Sequence, residues 1–383
     1  MAGYDRRYYW KKAWSLFPGI ISPASAPFLR AHYAARAHRR GVARAIADAF
    51  IALAFHAWIP VRAAQVRKRH GLDRGWSKRA RAIAHARFVD PNDIALFRIE
   101  RAEEMDGYIR RFEDAGINKL LNPAGWQPAC VLADKLRFAE RCAETGLPHA
   151  ATIAQMDATG VMVCAAPGGR ELVLKPADGE GGDGVRMLGA VADEASLRRI
   201  LSAVQPGKGQ KLVVQPRLSC HSSLDGLALS ALPTARIVTM INEQGVAEPV
   251  SATFRCPSDP AASVDNMKAG GLIAPIDLGT GTLGLASRGY GGGDYLVHPV
   301  TQAPIAGHVL VHWEEALALV GRAHLLGFAE YRLIGWDMAL TPDGPVLLEG
   351  NGKPGVLMPQ RAARRGLGEG RYGELLAWHL ARL

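Results

Sequence analysis

The chain has 383 residues, beyond the size at which one hydrophobic core stops growing, so two or three domains are expected. A hydrophobic content of 48% with mean hydropathy of −0.01 is ordinary globular material. The five cysteines are odd in number and form no CxxC pair, which gives no support to a disulfide framework or a zinc site and fits a reduced, cytoplasmic setting.

The formal net charge of +10 is unevenly spread. Residues 1 to 90 hold 18 Lys+Arg against 4 Asp+Glu, a net of +14, and the remainder carries −4. The opening MAGYDRRYYWKKAW is charged and aromatic where a secretory signal has an apolar core, so no signal peptide is expected. The alanine-rich stretches ARAHRRGVARAIADAF and SKRARAIAHARF predict helices. Ile46 to Pro60 is the most apolar run, about fifteen residues, short for a bilayer span and interrupted by Asp48 and His56. Two readings of this region stand side by side: a solvated helical face, or peripheral association with an anionic membrane such as the inner membrane surface. Nucleic acid is not favoured, because no helix-turn-helix, zinc finger or RNP pattern accompanies the charge. Phe88 to Gly116 alternates acids and bases at helical spacing and reads as a connecting helical segment, closing a basic helical region over residues 1–116.

Beyond it, strands are expected near 161 to 175 and a helix over Glu194 to Val204. The stretch LVLKPADGEGGDGV brings Lys175 on an apolar strand and then glycines at 179, 181, 182 and 184. Such a loop can turn its N–H groups toward a polyphosphate and lie close over it, although a glycine cluster alone is more often a plain hairpin loop. Ser251 to Val297 is glycine-rich and reads as strands and loops, with Gly289 to Asp294 a mobile loop.

The last element is GWDMALTPDGPVLLEGNGKPG, Gly335 to Gly355. Trp336 to Leu340 reads as a strand, Pro342-Asp343-Gly344 as a tight turn, and Val346 to Glu349 as the returning strand. This hairpin sets Asp337 opposite Glu349. Two carboxylates so close repel, so a cation is expected between them, and Mg2+ takes a few hard oxygens plus phosphate. Asn351, two residues on, adds a neutral oxygen on the same face. A lone pair of this kind also occurs on surface hairpins; its combination with a strand lysine and a glycine lid is rarer.

With these residues in place the chain resembles the ATP-grasp superfamily, and within it the sugar-transfer associated ATP-grasp group, from about Ile117 to the C-terminus. The resemblance implies an α+β fold of two subdomains gripping ATP, over 117–216 and 217–383, behind the helical region. It implies that Lys135, ahead of a helix ending in Gly146-Leu147-Pro148, and Lys175 contact phosphate, and that Gly179, Gly181, Gly182 and Gly184 form the lid. Gln215, Pro216 and Leu218 are similar to the adenine-holding hinge, with glutamine where many members have glutamate. Arg236 matches an arginine that reaches the transferred phosphate, and Asn266, with Gly270 and Gly271, a segment at the reaction centre. Asp337, Glu349 and Asn351 match the metal ligands. The match leaves the ribose contact open among His221, Ser222 and Asp225.

The resemblance further implies ATP and Mg2+ as cofactors and an ATP-dependent carboxylate-amine ligase acting through an acyl phosphate. Its substrates would be a small carboxylate and an amine, one of them a cell-surface glycan or its precursor. Two alternatives remain open: a kinase with a hydroxyl acceptor, and a nucleotide-binding component of glycan assembly without turnover.

Overall fold

The structure, a computed structural model, describes residues 26–383 apart from 180, 181, 183, 230, 262–264, 266–269, 290 and 291. Gly181 and Asn266 of the expected site, residues 1–25 of the basic region and two positions of the Gly289 to Asp294 loop therefore lie outside the described residues.

The basic region is helical where it is described: α1 (Arg30–Arg39), α2 (Val42–His70), α3 (Arg74–Arg87) and α4 (Pro91–Phe97). The apolar run read at 46 to 60 is embedded in a helix of 29 residues that continues through Pro60, which leaves the His56 carbonyl without its usual helical donor. The helix stops at Gly71, whose φ of 64° is open to glycine at little cost. Asp73 then caps α3 by accepting from the Trp76 N–H at 2.8 Å. Phe55, Ile59 and Val66 of α2 pack with Trp76, Ile83 and Ile94 in a core of their own. Buried Gln360 ties this module to the rest, accepting from the Ile109 N–H at 2.8 Å and donating to the Ile109 carbonyl at 2.9 Å.

Two antiparallel sheets follow. The smaller has the order β2-β1-β5-β3-β4, with β1 at Ala154–Asp157, β2 at Gly160–Val163, β3 at Arg170–Pro176, β4 at Arg186–Val191 and β5 at Leu212–Pro216. Between β4 and β5, α7 (Glu194–Ser202) packs Leu197 and Leu201 onto its apolar face. The larger has the order β10-β9-β8-β7-β6-β11-β12, with β6 at Thr234–Ile241, β7 at Ala247–Cys256, β8 at Leu272–Pro275, β9 at Ala286–Ser287, β10 at Asp294–Tyr295, β11 at Leu333–Thr341 and β12 at Gly344–Asn351. The hairpin read in the sequence is thus present, with each strand end one to three residues longer.

The connecting helices α5 (Arg111–Leu121) and α6 (Lys135–Glu144) precede the small sheet in the chain. Even so, Phe138, Cys142 and Leu147 share their core with Ile237, Phe254 and Trp336 of the large sheet. That packing carries α6 to the edge where the two sheets meet.

Candidate active site

Three strand neighbours form the base of the site. Arg236 on β6 is the register partner of Asp337 on β11, and Asp337 is the partner of Glu349 on β12, so the three side chains stand in one row across the sheet. Arg236 grips Asp337 with a forked pair of bonds from Nε and Nη2, the second 2.6 Å long, and its Nη1 donates to the Pro354 carbonyl at 3.2 Å. Arg255, on β7, adds a second guanidinium 3.1 Å from Asp337 Oδ2 and lies 3.6 Å from Asp265. Burial opposes ionisation of Asp337, yet these two arginines outweigh it and hold the carboxyl well below its ordinary range. Glu349 shifts the other way, raised by burial and by the Asp337 charge.

The lysines come from the facing side. Asp134 caps α6, accepting from the Leu136 N–H at 2.9 Å, which puts Lys135 in its first turn. The Lys135 N–H bonds the Ala177 carbonyl at 2.9 Å, its Nζ donates to the Gly179 carbonyl at 2.6 Å, and the same Nζ lies 3.5 Å from Glu349 Oε2. Lys135 thereby links the glycine loop to the acid pair. Lys175 follows from strand alternation: Leu172 and Leu174 enter the small sheet's core, so Val173 and Lys175 take the opposite face. Burial and the neighbouring Lys135 push the Lys175 ammonium down to about 8, against a smaller opposing pull from Glu349. In the loop, Gly182 and Gly184 have φ of 81° and 78°, a conformation side chains rarely adopt.

Apart from Asp134 and Gly184, these groups line one cavity of about 900 Å³, the upper part of the range for ligand pockets. Six basic side chains, Arg111, Lys135, Lys175, Arg236, Arg255 and Lys353, face four acidic ones, Asp178, Asp265, Asp337 and Glu349. The excess is positive, which suits a polyphosphate. Asn351 also lines the cavity, and its buried Nδ2 has no hydrogen-bond partner among the described residues. Two buried asparagines fix the chain beyond it, since Asn118 and Asn122 both donate to the Gly352 carbonyl, at 3.0 and 2.9 Å.

The donor set fits a hard divalent cation. Asp337 and Glu349 are adjacent oxygen donors whose mutual repulsion already raises one of them, and Asn351 has an unsatisfied amide that can turn its oxygen inward. Among the described residues no cluster of three or more His, Cys, Asp or Glu is placed to hold a metal by itself.

Of the expected residues, Lys135, Lys175, Gly179, Gly182, Arg236, Asp337, Glu349 and Asn351 line this cavity. Gln215, Pro216 and Leu218 do not; Gln215 is buried on β5 and donates to the Ala150 carbonyl at 2.9 Å. His221, Ser222 and Asp225 are likewise absent from the lining. Arg255 and Asp265 belong to the site and were not read from the sequence. The signal for Arg255 was a lone charge in the otherwise uncharged stretch VSATFRC of β7.

A family model described as sugar-transfer associated ATP-grasp matches residues 119–371. No curated protein sequence matches the chain. Similar solved structures include an L-amino acid ligase from Bacillus licheniformis, at 13% identity over 65% of this chain and 48% of that one, with a TM-score of 0.35. D-alanyl-alanine synthetase A from Vibrio cholerae O1 biovar eltor is 13% identical over 66% of this chain and 65% of its own, with a TM-score of 0.39. D-alanine–D-alanine ligase from Bacillus anthracis is 13% identical over 66% of this chain and 67% of its own, with a TM-score of 0.36. The chain thus spans about half to two thirds of the length of these proteins.

Proposed function

The chain belongs to the sugar-transfer associated ATP-grasp family, and from that premise we propose that it is an ATP-dependent carboxylate-amine ligase working through an acyl phosphate. The observation that carries the reading is the row Arg236, Asp337, Glu349 lying in one cavity with Lys135 and Lys175. Phosphoryl transfer needs little covalent help from protein; it needs oxygens neutralised, reactants aligned and water kept out. Here Lys135 and Lys175 neutralise phosphate oxygens, and the loop carrying Gly179, Gly182 and Gly184 covers them. Arg236 and Arg255 hold charge beside the point where the γ-phosphoryl group passes to a substrate carboxylate. ADP leaves in that step. A neutral amine then attacks the acyl carbon, inorganic phosphate departs, and the amine gives up a proton as the amide forms.

Asp337, Glu349 and Asn351 are the side chains that would hold Mg2+. The ion would supply further neutralisation of phosphate charge. The family's association with sugar transfer makes a glycan, or a uronic or amino acid destined for one, our proposed substrate class.

The test is incubation with ATP, Mg2+ and panels of uronic acids, amino acids and amines, following ADP and inorganic phosphate, with hydroxylamine present to trap acyl phosphate as a hydroxamate. The ligase reading predicts equal ADP and phosphate with a hydroxamate or amide product. ADP with a stable phosphoester and no free phosphate would replace it with a kinase. ATP binding without ADP under every condition would replace it with a nucleotide-binding role in glycan assembly.

A further inference from the structure

Helix α2 is apolar on two opposite faces, and among the described residues only one of them is packed. Phe55, Ile59, Ala63 and Val66 are buried, and at 100° per residue they fall on one arc. Val42, Ile46, Phe50, Leu53 and Val61 are between 53% and 78% exposed. With the exposed Ala57 and Ala64 they occupy an arc of about 100° on the far side. From Val42 to Ala64 this stripe is about 33 Å long and contains no polar residue. Apolar surface this long and continuous is unfavourable in water and marks a surface that something covers.

Charge decides what covers it. Residues 26–90 hold 14 Lys+Arg against 3 Asp+Glu. All three acids are engaged: Asp48 with Arg40 and Arg44, Asp90 with Arg62, and Asp73 as the cap of α3. Lys68 and Arg69 at the end of α2, and Arg74, Lys78 and Arg81 on α3, are exposed and make no ion pair among the described residues. Lys68 falls within the arc of the stripe.

We propose that α2 is a membrane-docking element that lies flat on an anionic lipid surface, its exposed stripe entering the headgroup boundary and the basic cluster at its C-terminal end contacting lipid phosphates. A second copy of the chain is a poor occupant, because stacking two stripes would bring two modules with the same large positive excess together. Spanning is a poor alternative too. By length and composition Val42–His70 could cross a bilayer, but its opposite face is committed to the core with α3 and α4.

The test is co-sedimentation of the full chain with phosphatidylglycerol vesicles and with phosphatidylcholine vesicles. The parent is expected to bind the anionic vesicles, to bind the neutral ones much less, and to lose binding as salt rises. Phe50→Ser with Leu53→Ser should weaken anionic binding at least about tenfold, since each large side chain loses its burial. Both are exposed, so the thermal melt should not move. Val246→Ser, an exposed apolar residue on the β6–β7 turn, should bind as the parent does. Neutralising Arg67, Lys68 and Arg69 to Gln should also weaken binding and flatten its salt dependence. Absence of binding to phosphatidylglycerol at low salt would overturn the proposal. So would undiminished binding of the double Ser variant, or a lipid-free dimer that the double variant abolishes.

Discussion

Asp337 and Glu349 face each other across the β11–β12 pair and hold their protons on opposite terms. The arginines at 236 and 255 keep Asp337 ionised despite its burial, whereas burial and the Asp337 charge raise Glu349. A carboxyl raised in the folded state detracts from stability once pH passes its unfolded value, because the native protein then holds a proton that the unfolded chain releases. Glu349 is therefore retained at a cost to the fold, as expected of a functional group.

The first prediction is that Glu349→Gln melts at or slightly above the parent at neutral pH yet loses ATP turnover by at least about a hundredfold, the scale expected when a metal and phosphate clamp is broken. Differential scanning calorimetry and ADP release together check it. Undiminished ADP release at saturating Mg2+ would remove Glu349 from the site.

Lys175 gives a pH signature. Its ammonium, pushed down to about 8, is partly neutral in the free protein above that pH, whereas phosphate favours the charged form. Nucleotide binding should therefore take up a proton, and affinity should fall as pH rises through about 8. Calorimetry in buffers of different ionisation enthalpy measures the uptake, and Lys175→Arg should abolish it because arginine does not titrate there. Binding heats that are independent of buffer in the parent would contradict the assignment.

Arg255 carries a stability prediction. Burial opposes its charge, but Asp337, Asp265 and Glu349 hold the proton firmly on it. Arg255→Met leaves Asp265 without its guanidinium and Asp337 with Arg236 alone, and breaking a buried pair in this way typically costs about 3–5 kcal/mol. Urea denaturation checks this near neutral pH. A loss under about 1 kcal/mol would mean that the acids find other partners.

Gly335 packs against Pro354 and the Arg236 side chain. A Cβ there would lie 2.6 Å from the Pro354 Cβ and 3.3 Å from the Arg236 Cδ. Gly335→Ala should cost about 1–3 kcal/mol by overpacking and lower turnover more than stability alone explains, because it moves Arg236 and the loop after Asn351. Parent-like turnover in the Ala variant would show that Arg236 needs no fixed position.

The hairpin was legible because a turn with proline and glycine at defined offsets separates two short apolar runs, whereas the facing of Asp337 and Glu349 also needs a β-bulge between Asp337 and Met338 that slips the register by one residue. Lys175 was legible through strand alternation. Arg255 and Asp265 were not, since their roles depend on which strand lies beside β6 and on a contact between residues ten apart in the chain. The full length of α2 was obscured by Pro60, which reads as a boundary in sequence but is tolerated within the helix. The packing of α6 against the large sheet, although it precedes the small one, is a matter of tertiary contact that periodicity cannot report.

Isothermal calorimetry of ATP with Mg2+ checks whether one nucleotide occupies the cavity shared by Lys135 and Lys175. The parent should bind one ATP per chain. Lys135→Ala with Lys175→Ala, their folding checked by an unchanged melt, should weaken that binding at least about a hundredfold, since two charge-assisted contacts to phosphate are removed. Equal affinity and stoichiometry in the double variant would place the nucleotide elsewhere and contradict the account.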